Sequence, residues 1–188
     1  MGFVALARLS EVTGLSEPDA ESELIDLAVA GLVERIPGDF AAWGLTEAGR
    51  AADAERISAE LDAAGARAAV TKTFDDFLVL NPELLDLCGA WQMRSADGVV
   101  TVNDHNDPVY DVRVLARFTD FHARAKVVCA DLSAALPRFE RYGLRLAKAL
   151  GHAQDGRLDY LTDNLESYHT VWFQLHEDLL TTLGIPRH

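Results

Sequence analysis

Leu32-Val33-Glu34-Arg35-Ile36, Pro37-Gly38 and Ala41-Ala42-Trp43-Gly44-Leu45 read in order as a strand, a turn and a return strand, because β-branched and aromatic residues flank a Pro-Gly breaker. Two short helices precede this hairpin. Arg8 to Ser16 places Leu9 and Val12 on one face and closes on Gly14, a residue that tolerates the left-handed conformation of a helix end. Ser16 opens the next helix as its cap, with Asp19 three residues on as the acidic partner of a capping box and Pro18 accepted in the first turn. From Ala20 onward, Leu24, Leu27, Ala28 and Leu32 recur at helical spacing until Gly31 releases the chain. Two helices across a glycine turn form a helix-turn-helix, and a hairpin directly after it completes the pattern.

Gly31-Leu32-Val33-Glu34-Arg35, with Leu45-Thr46-Glu47-Ala48-Gly49-Arg50 closing the hairpin, resembles the wing of MarR-like winged-helix regulators. The resemblance covers about residues 1 to 53 and implies a winged helix-turn-helix domain in a transcriptional regulator. On a DNA-reading version of that fold, Arg8, Arg35 and Arg50 are the expected phosphate contacts, with Ser16 and Ser22 as polar contacts. Winged helices also serve as protein-binding modules, so the fold does not by itself choose a partner. Two departures from the family pattern stand out. The first helix is confined to Phe3 to Ala7, and the helix expected to enter the major groove carries Glu17, Asp19, Glu21, Glu23 and Asp26 with no basic residue.

Charge sharpens the second departure. The 188 residues carry a formal net charge of -13, and residues 1 to 55 hold three arginines against eleven carboxylates. DNA repels such a surface unless basic groups are gathered on one face. The one concentrated basic feature is Arg138, Arg141, Arg145 and Lys148, a stripe along a single later helix. It fits contact with phosphate, pairing with acidic groups of the same chain or a second copy, or a solvated face with local ion pairs. No apolar run approaches the roughly 18 to 20 residues that span a bilayer, and the opening Met-Gly-Phe-Val-Ala-Leu-Ala-Arg is too short for a signal peptide. A cytoplasmic location without membrane contact is expected. Cys88 and Cys129 lie in apolar helical stretches without zinc or redox spacing, which predicts reduced, buried thiols. Fourteen arginines against three lysines, among many alanines, point to a GC-rich genome such as an actinobacterium's.

Beyond the hairpin the pattern is helical, so the fold class is mainly α: a winged helix-turn-helix over residues 1–53 followed by an all-helical bundle over residues 54–188. Thr46 caps a long helix to about Ala68, and residues 69 to 80 continue helical, with Gly65 as the dividing point. Paired copies of this long helix would make a homodimer. Asn81-Pro82 is expected to cap a separate helix, Glu83 to Met93. Arg94 to Pro108 then reads as the one long loop, with Asp97-Gly98, a brief Val99 to Val102 run and the polar cluster Asn103 to Pro108. Helices over Val109 to Leu136, Pro137 to Ala153 and Asn164 to Leu183 finish the chain, the last apolar nearly all round and so expected at the centre of the bundle.

That last helix holds the candidate chemistry. His169, Trp172, Phe173 and His176 recur at i, i+3, i+4 and i+7, and Glu166 precedes His169 by three, a spacing that can aim a carboxylate and an imidazole at one metal. Glu166, His169 and His176 are therefore the candidate metal ligands, with His105, Asp104, Asp107 or His122 as completing groups; partly buried histidines packed beside tryptophan are the plainer alternative. A small-molecule effector pocket is expected among Trp91, Arg94, His105, Asp107, Tyr168, His169, Trp172 and His176. The alternative reading of the loop carboxylates and amides is as caps for the helix at Pro108. In layout alone, a winged helix before an all-helical domain resembles the FadR-like regulators, which implies a carboxylate effector.

The segment Ser167-Tyr-His-Thr-Val-Trp-Phe-Gln-Leu-His-Glu-Asp-Leu-Leu180 is similar to parts of uncharacterised actinobacterial proteins, some linked to phosphoenolpyruvate-utilising dikinases. No phosphate-binding glycine loop, nucleophile elbow or reactive-cysteine context is present, so neither an enzyme nor a cofactor is expected. The leading expectation is a winged-helix transcriptional regulator with a helical ligand-sensing or dimerisation domain. Its alternatives are a winged-helix module that binds a protein instead of DNA, and a metal- or ligand-binding helical protein associated with a phosphoenolpyruvate-utilising system.

Overall fold

The computed structural model describes residues 3–36, 42–96 and 98–186 of a mainly helical chain that divides into two compact units, Met1–Ala59 and Glu60–His188. In the first unit, strand β1 (Val4–Ala5) leads into helix α1 (Leu6–Thr13), helix α2 (Glu17–Val29), strand β2 (Val33–Ile36) and strand β3 (Ala42–Leu45). The strands form an antiparallel sheet in the order β1-β3-β2. Val33 faces Leu45 and Ile36 faces Ala42, while Val4 faces Trp43 on the other edge of β3. This corrects the helix expected over Phe3 to Ala7. The second edge of β3 presents unpaired N–H and C=O groups, and Val4-Ala5 satisfies them as a strand. The Pro37-Gly38 turn lies outside the described residues.

Local capping follows the sequence signals. Gly14 ends α1 with φ 74°, and the Ser16 hydroxyl accepts from Asp19 N–H at 3.3 Å. Thr46 ties the sheet to the next helix, α3 (Glu47–Ala63): its Oγ1 donates to Gly31 O at 2.7 Å and accepts from Gly49 N–H at 3.0 Å. Gly49 is required there, since a β-carbon would stand 1.8 Å from Leu32 O.

The second unit is built on α4 (Arg67–Gln92), α5 (Pro108–Ala135), α6 (Glu140–Gln154) and α7 (Tyr168–Leu183). Gly65, at φ 59°, separates α3 from α4, as its position suggested. Asn81-Pro82 does not start a helix: α4 runs through both. Pro82 faces solvent, where the carbonyl that it leaves unbonded can be hydrated, and Asn81 Oδ1 accepts from the Trp172 indole at 3.0 Å instead of capping. The expected long loop is half strand. Met93–Ala96 and Val99–Val102 pair as an antiparallel hairpin, β4 and β5.

Aromatic packing holds this unit together. Phe77 and Trp172 stack at 4.4 Å between centroids, Phe121 meets Trp172 edge-on at 5.3 Å, and Phe118 meets Tyr168 edge-on at 5.8 Å. Burying each such ring contributes about 1.5–3 kcal/mol. The last helix is less central than its composition implied. Tyr168, Val171, Trp172, Leu175 and Leu179 are buried on one side, while Phe173 is 52% exposed. Among the described residues, no helix is long and apolar enough to cross a membrane.

Candidate functional site

The residues expected to converge on one pocket separate into three places. Trp91, Arg94, His105 and Asp107 do meet, where the hairpin returns to α5. Asn103, buried, donates through Nδ2 to Trp91 O at 3.0 Å and to Asp111 Oδ1 at 2.9 Å, while its N–H donates to Gln92 O at 2.8 Å. His105 Nδ1 lies 3.0 Å from Asp111 Oδ2, and its ring packs 4.6 Å from that of Trp91. Asp107 accepts from the N–H groups of Val109 and Tyr110 at the start of α5, and Arg94 pairs with Asp104 at 3.3 Å. Tyr110 OH donates to Ala90 O at 2.7 Å. The cluster thus satisfies the terminal carbonyls of α4 and the first N–H groups of α5, which is the work of a clamp between helix ends.

Tyr168 and Trp172 belong to the buried core, and His176 stacks on Phe77 at 5.4 Å and Phe74 at 6.2 Å. Glu166 receives a two-pronged pair of hydrogen bonds from Arg145, both 2.9 Å. His169 donates its backbone N–H to Leu161 O at the turn into α7. Among the described residues, no three His, Cys, Asp or Glu side chains gather as a metal-binding group. The Glu-x-x-His spacing is present on the chain, but its carboxylate is engaged by a guanidinium.

Arginines of the basic stripe turn onto α7. Arg138 donates to Asp178 at 2.6 Å and to Glu60 at 2.8 Å, and Arg141 donates to the other Asp178 oxygen at 2.9 Å. Tyr142 OH also donates to Asp178 at 2.8 Å. Burial alone would raise the Asp178 carboxyl, but the hydrogen bond and charge of Arg138, with Tyr142 and Arg141, hold it below its ordinary value. Burial is also the main reason that Tyr142 rises to about 12. Three of the four stripe cations therefore pair with carboxylates of their own unit.

A cavity of about 320 Å³ opens between α5 and α6. From α5 come His122, Lys126, Cys129 and Ser133, at i, i+4, i+7 and i+11, so they share a face. From α6 come Glu140, Gly143, Leu144 and Ala147, again on one face. The helices run antiparallel: Gln154 donates to Thr119 at one end, and the Gly143 β-position lies 3.3 Å from Cys129 Cβ. Small residues on both faces leave the space that larger ones would fill. Lys126 and His122 consequently lie toward one end with Ala147, and Ser133 and Glu140 lie toward the other.

His122 is held in one tautomer. Its Nδ1 is 3.0 Å from the hydroxyl of Tyr168, which is wholly buried and has no other hydrogen-bond partner among the described residues. A buried hydroxyl proton needs an acceptor, so Tyr168 donates to Nδ1 and the imidazole carries its proton on Nε2. Burial, then the Lys126 charge, lowers the His122 pKa, and burial raises Tyr168 well above its ordinary value; both groups are neutral near pH 7. Cys129, at the cavity floor, is likewise pushed by burial to about 12 and is a thiol. The pocket expected from the sequence did not include Lys126, Ser133 or Glu140; the helical spacing of Lys126 and Ser133 with His122 was the available signal, and it could not show which helix faces them.

In the N-terminal unit, four of the five acidic side chains of α2 face away from its packing side, and Glu21 is half-buried. Glu17, Asp19, Glu23 and Asp26 are exposed, and the single buried residue of the helix is Ala20. Arg8 pairs with Glu11 at 2.8 Å, Arg50 donates to Leu45 O at 2.8 Å, and Arg35 lies 3.9 Å from Glu21 and 5.7 Å from the centre of the Trp43 ring. Ser16 is spent on its cap, and Ser22 is exposed. No protein-family model, curated protein or solved structure matches the chain.

Proposed function

We propose that this chain is a winged-helix regulatory protein whose N-terminal unit addresses a cationic protein surface rather than duplex DNA, and whose helical unit takes up a small ligand. The succession β1-α1-α2-β2-β3 with sheet order β1-β3-β2 supports the winged-helix reading, with the hairpin β2-β3 as the wing. The choice of partner rests on one observation: the exposed residues of α2 include Glu17, Asp19, Glu23 and Asp26, beside the apolar Ile25, Leu27 and Val29, with no cation among them, and Arg8, Arg35 and Arg50 are already engaged with groups of their own unit. Phosphate contacts supply most of the affinity of DNA-binding proteins, and an acidic helix in the major groove would add repulsion instead. The same charge steers encounters with a basic partner and disfavours wrong ones.

A DNA-binding regulator is the second reading, favoured by the order of helices and strands. On it, Arg8, Arg35 and Arg50 would leave their present partners for phosphates. The deciding experiment incubates the purified full chain with fragmented genomic DNA at low and at moderate salt. The first reading expects no retained fragment at either salt. Reproducible enrichment of one sequence, with affinity falling steeply as salt rises, would replace it with the second.

A further inference from the structure

We propose that the slot between α5 and α6 binds a small amphipathic monocarboxylate, of the class of medium-chain or arylalkanoic acids, with its carboxylate at Lys126 and His122. This gives chemical content to the ligand-binding role proposed above and rests on that reading for its regulatory meaning, whereas binding itself is measured on the full chain without any partner.

Three features of the slot select this class. Its volume, about 320 Å³, lies at the small end of the range for ligand sites. Its middle is formed by Cys129, Gly143 and Leu144, with no charged group between the ends, so the body of the ligand must be apolar. Its ends differ in chemistry. At one end, Lys126 has no ion-pair or hydrogen-bond partner among the described residues, and the buried Tyr168 hydroxyl fixes His122 with Nε2–H as its remaining polar group. A cation and a neutral N–H donor suit a single carboxylate, since charge-assisted hydrogen bonds are the strong ones. Glu140 at the opposite end repels a carboxylate and thereby sets the ligand's direction. Lys126 and Ser133, seven residues apart on α5, are separated by about 10 Å along the helix at 1.5 Å per residue, which limits the ligand to a medium length.

Titration calorimetry of the full chain with octanoate, and with octanol as the probe without a charge, tests the assignment. Saturable binding of octanoate at one site is expected, with octanol at least tenfold weaker. Lys126→Met should reduce octanoate affinity at least tenfold, while Arg113→Met, an exposed cation elsewhere on α5, should leave it unchanged. Ala147→Phe should fill the slot and abolish binding with an intact helical circular-dichroism spectrum. Should that variant fail to fold, amide chemical-shift changes in the wild-type chain provide the same information: octanoate must move Leu144 and Ala147. No saturable binding at millimolar octanoate, equal affinity in Lys126→Met, or shifts confined to residues outside α5 and α6 would overturn the site. Octanoate binding by a chain whose N-terminal unit meets no protein would preserve the site and remove the regulatory reading.

Discussion

Gly49, in the first turn of α3, lies too close to Leu32 O for any side chain. A β-carbon at this position would overlap Leu32 O, and the carbonyl cannot move freely because it accepts the Thr46 N–H at 3.0 Å. Gly49→Ala is therefore expected to destabilise this unit by about 1–3 kcal/mol, the range for overpacking. Native-state hydrogen exchange checks this, with amide protection lost across β2 and β3 and retained in α5 and α6; unchanged protection in the sheet would contradict it. The identity of Gly49 could be read from the sequence, but its reason could not, because no spacing rule reports an approach to a carbonyl seventeen residues earlier. His105 teaches the same lesson at the expected pocket. Its residue type suggested chemistry, and its contacts with Asp111 and Trp91 show a clamp.

Among the elements, α6 and α7 are joined by charge as well as by packing. Asp178, with a side chain 11% exposed, receives Arg138, Arg141 and the Tyr142 hydroxyl. Removing one partner of a buried ion pair strands the others, so Asp178→Ala should cost about 3 kcal/mol in urea denaturation. The pH dependence has a definite sign. Because the folded Asp178 pKa is lowered, its contribution is complete above the ordinary carboxyl value and is lost as pH falls through the lower folded value. The wild type should lose stability on acidification more steeply than Asp178→Asn; parallel curves would remove Asp178 from the account. Spacing made the stripe Arg138, Arg141 and Arg145 legible, but its partners come from α7, from Glu166 just before it and from Glu60, distant in sequence. Capping signals were reliable at Ser16, Thr46 and Gly65 because they act within a few residues. They failed at Asn81-Pro82, where a tertiary bond to Trp172 and an exposed proline let α4 continue.

For the whole molecule, the separation of charge is the feature that relates structure to proposed function. A net charge of -13 coexists with a helix, α2, whose charged groups are all carboxylates, while the stripe arginines pair with acids of the helical unit. The mainly helical class and the sheet hairpin were legible from periodicity and breakers. The slot was not, because it exists only where two faces of small residues, 129 to 133 and 143 to 147, come into apposition. The most direct measurement places a photocrosslinking residue at Glu23, on the exposed side of α2, in the full chain inside the cells that make it, and identifies what is captured on illumination. The account predicts a covalent adduct with a protein that carries a basic surface, lost when Asp19 and Asp26 are replaced by lysine. Adducts with DNA, or none with any protein, would contradict it.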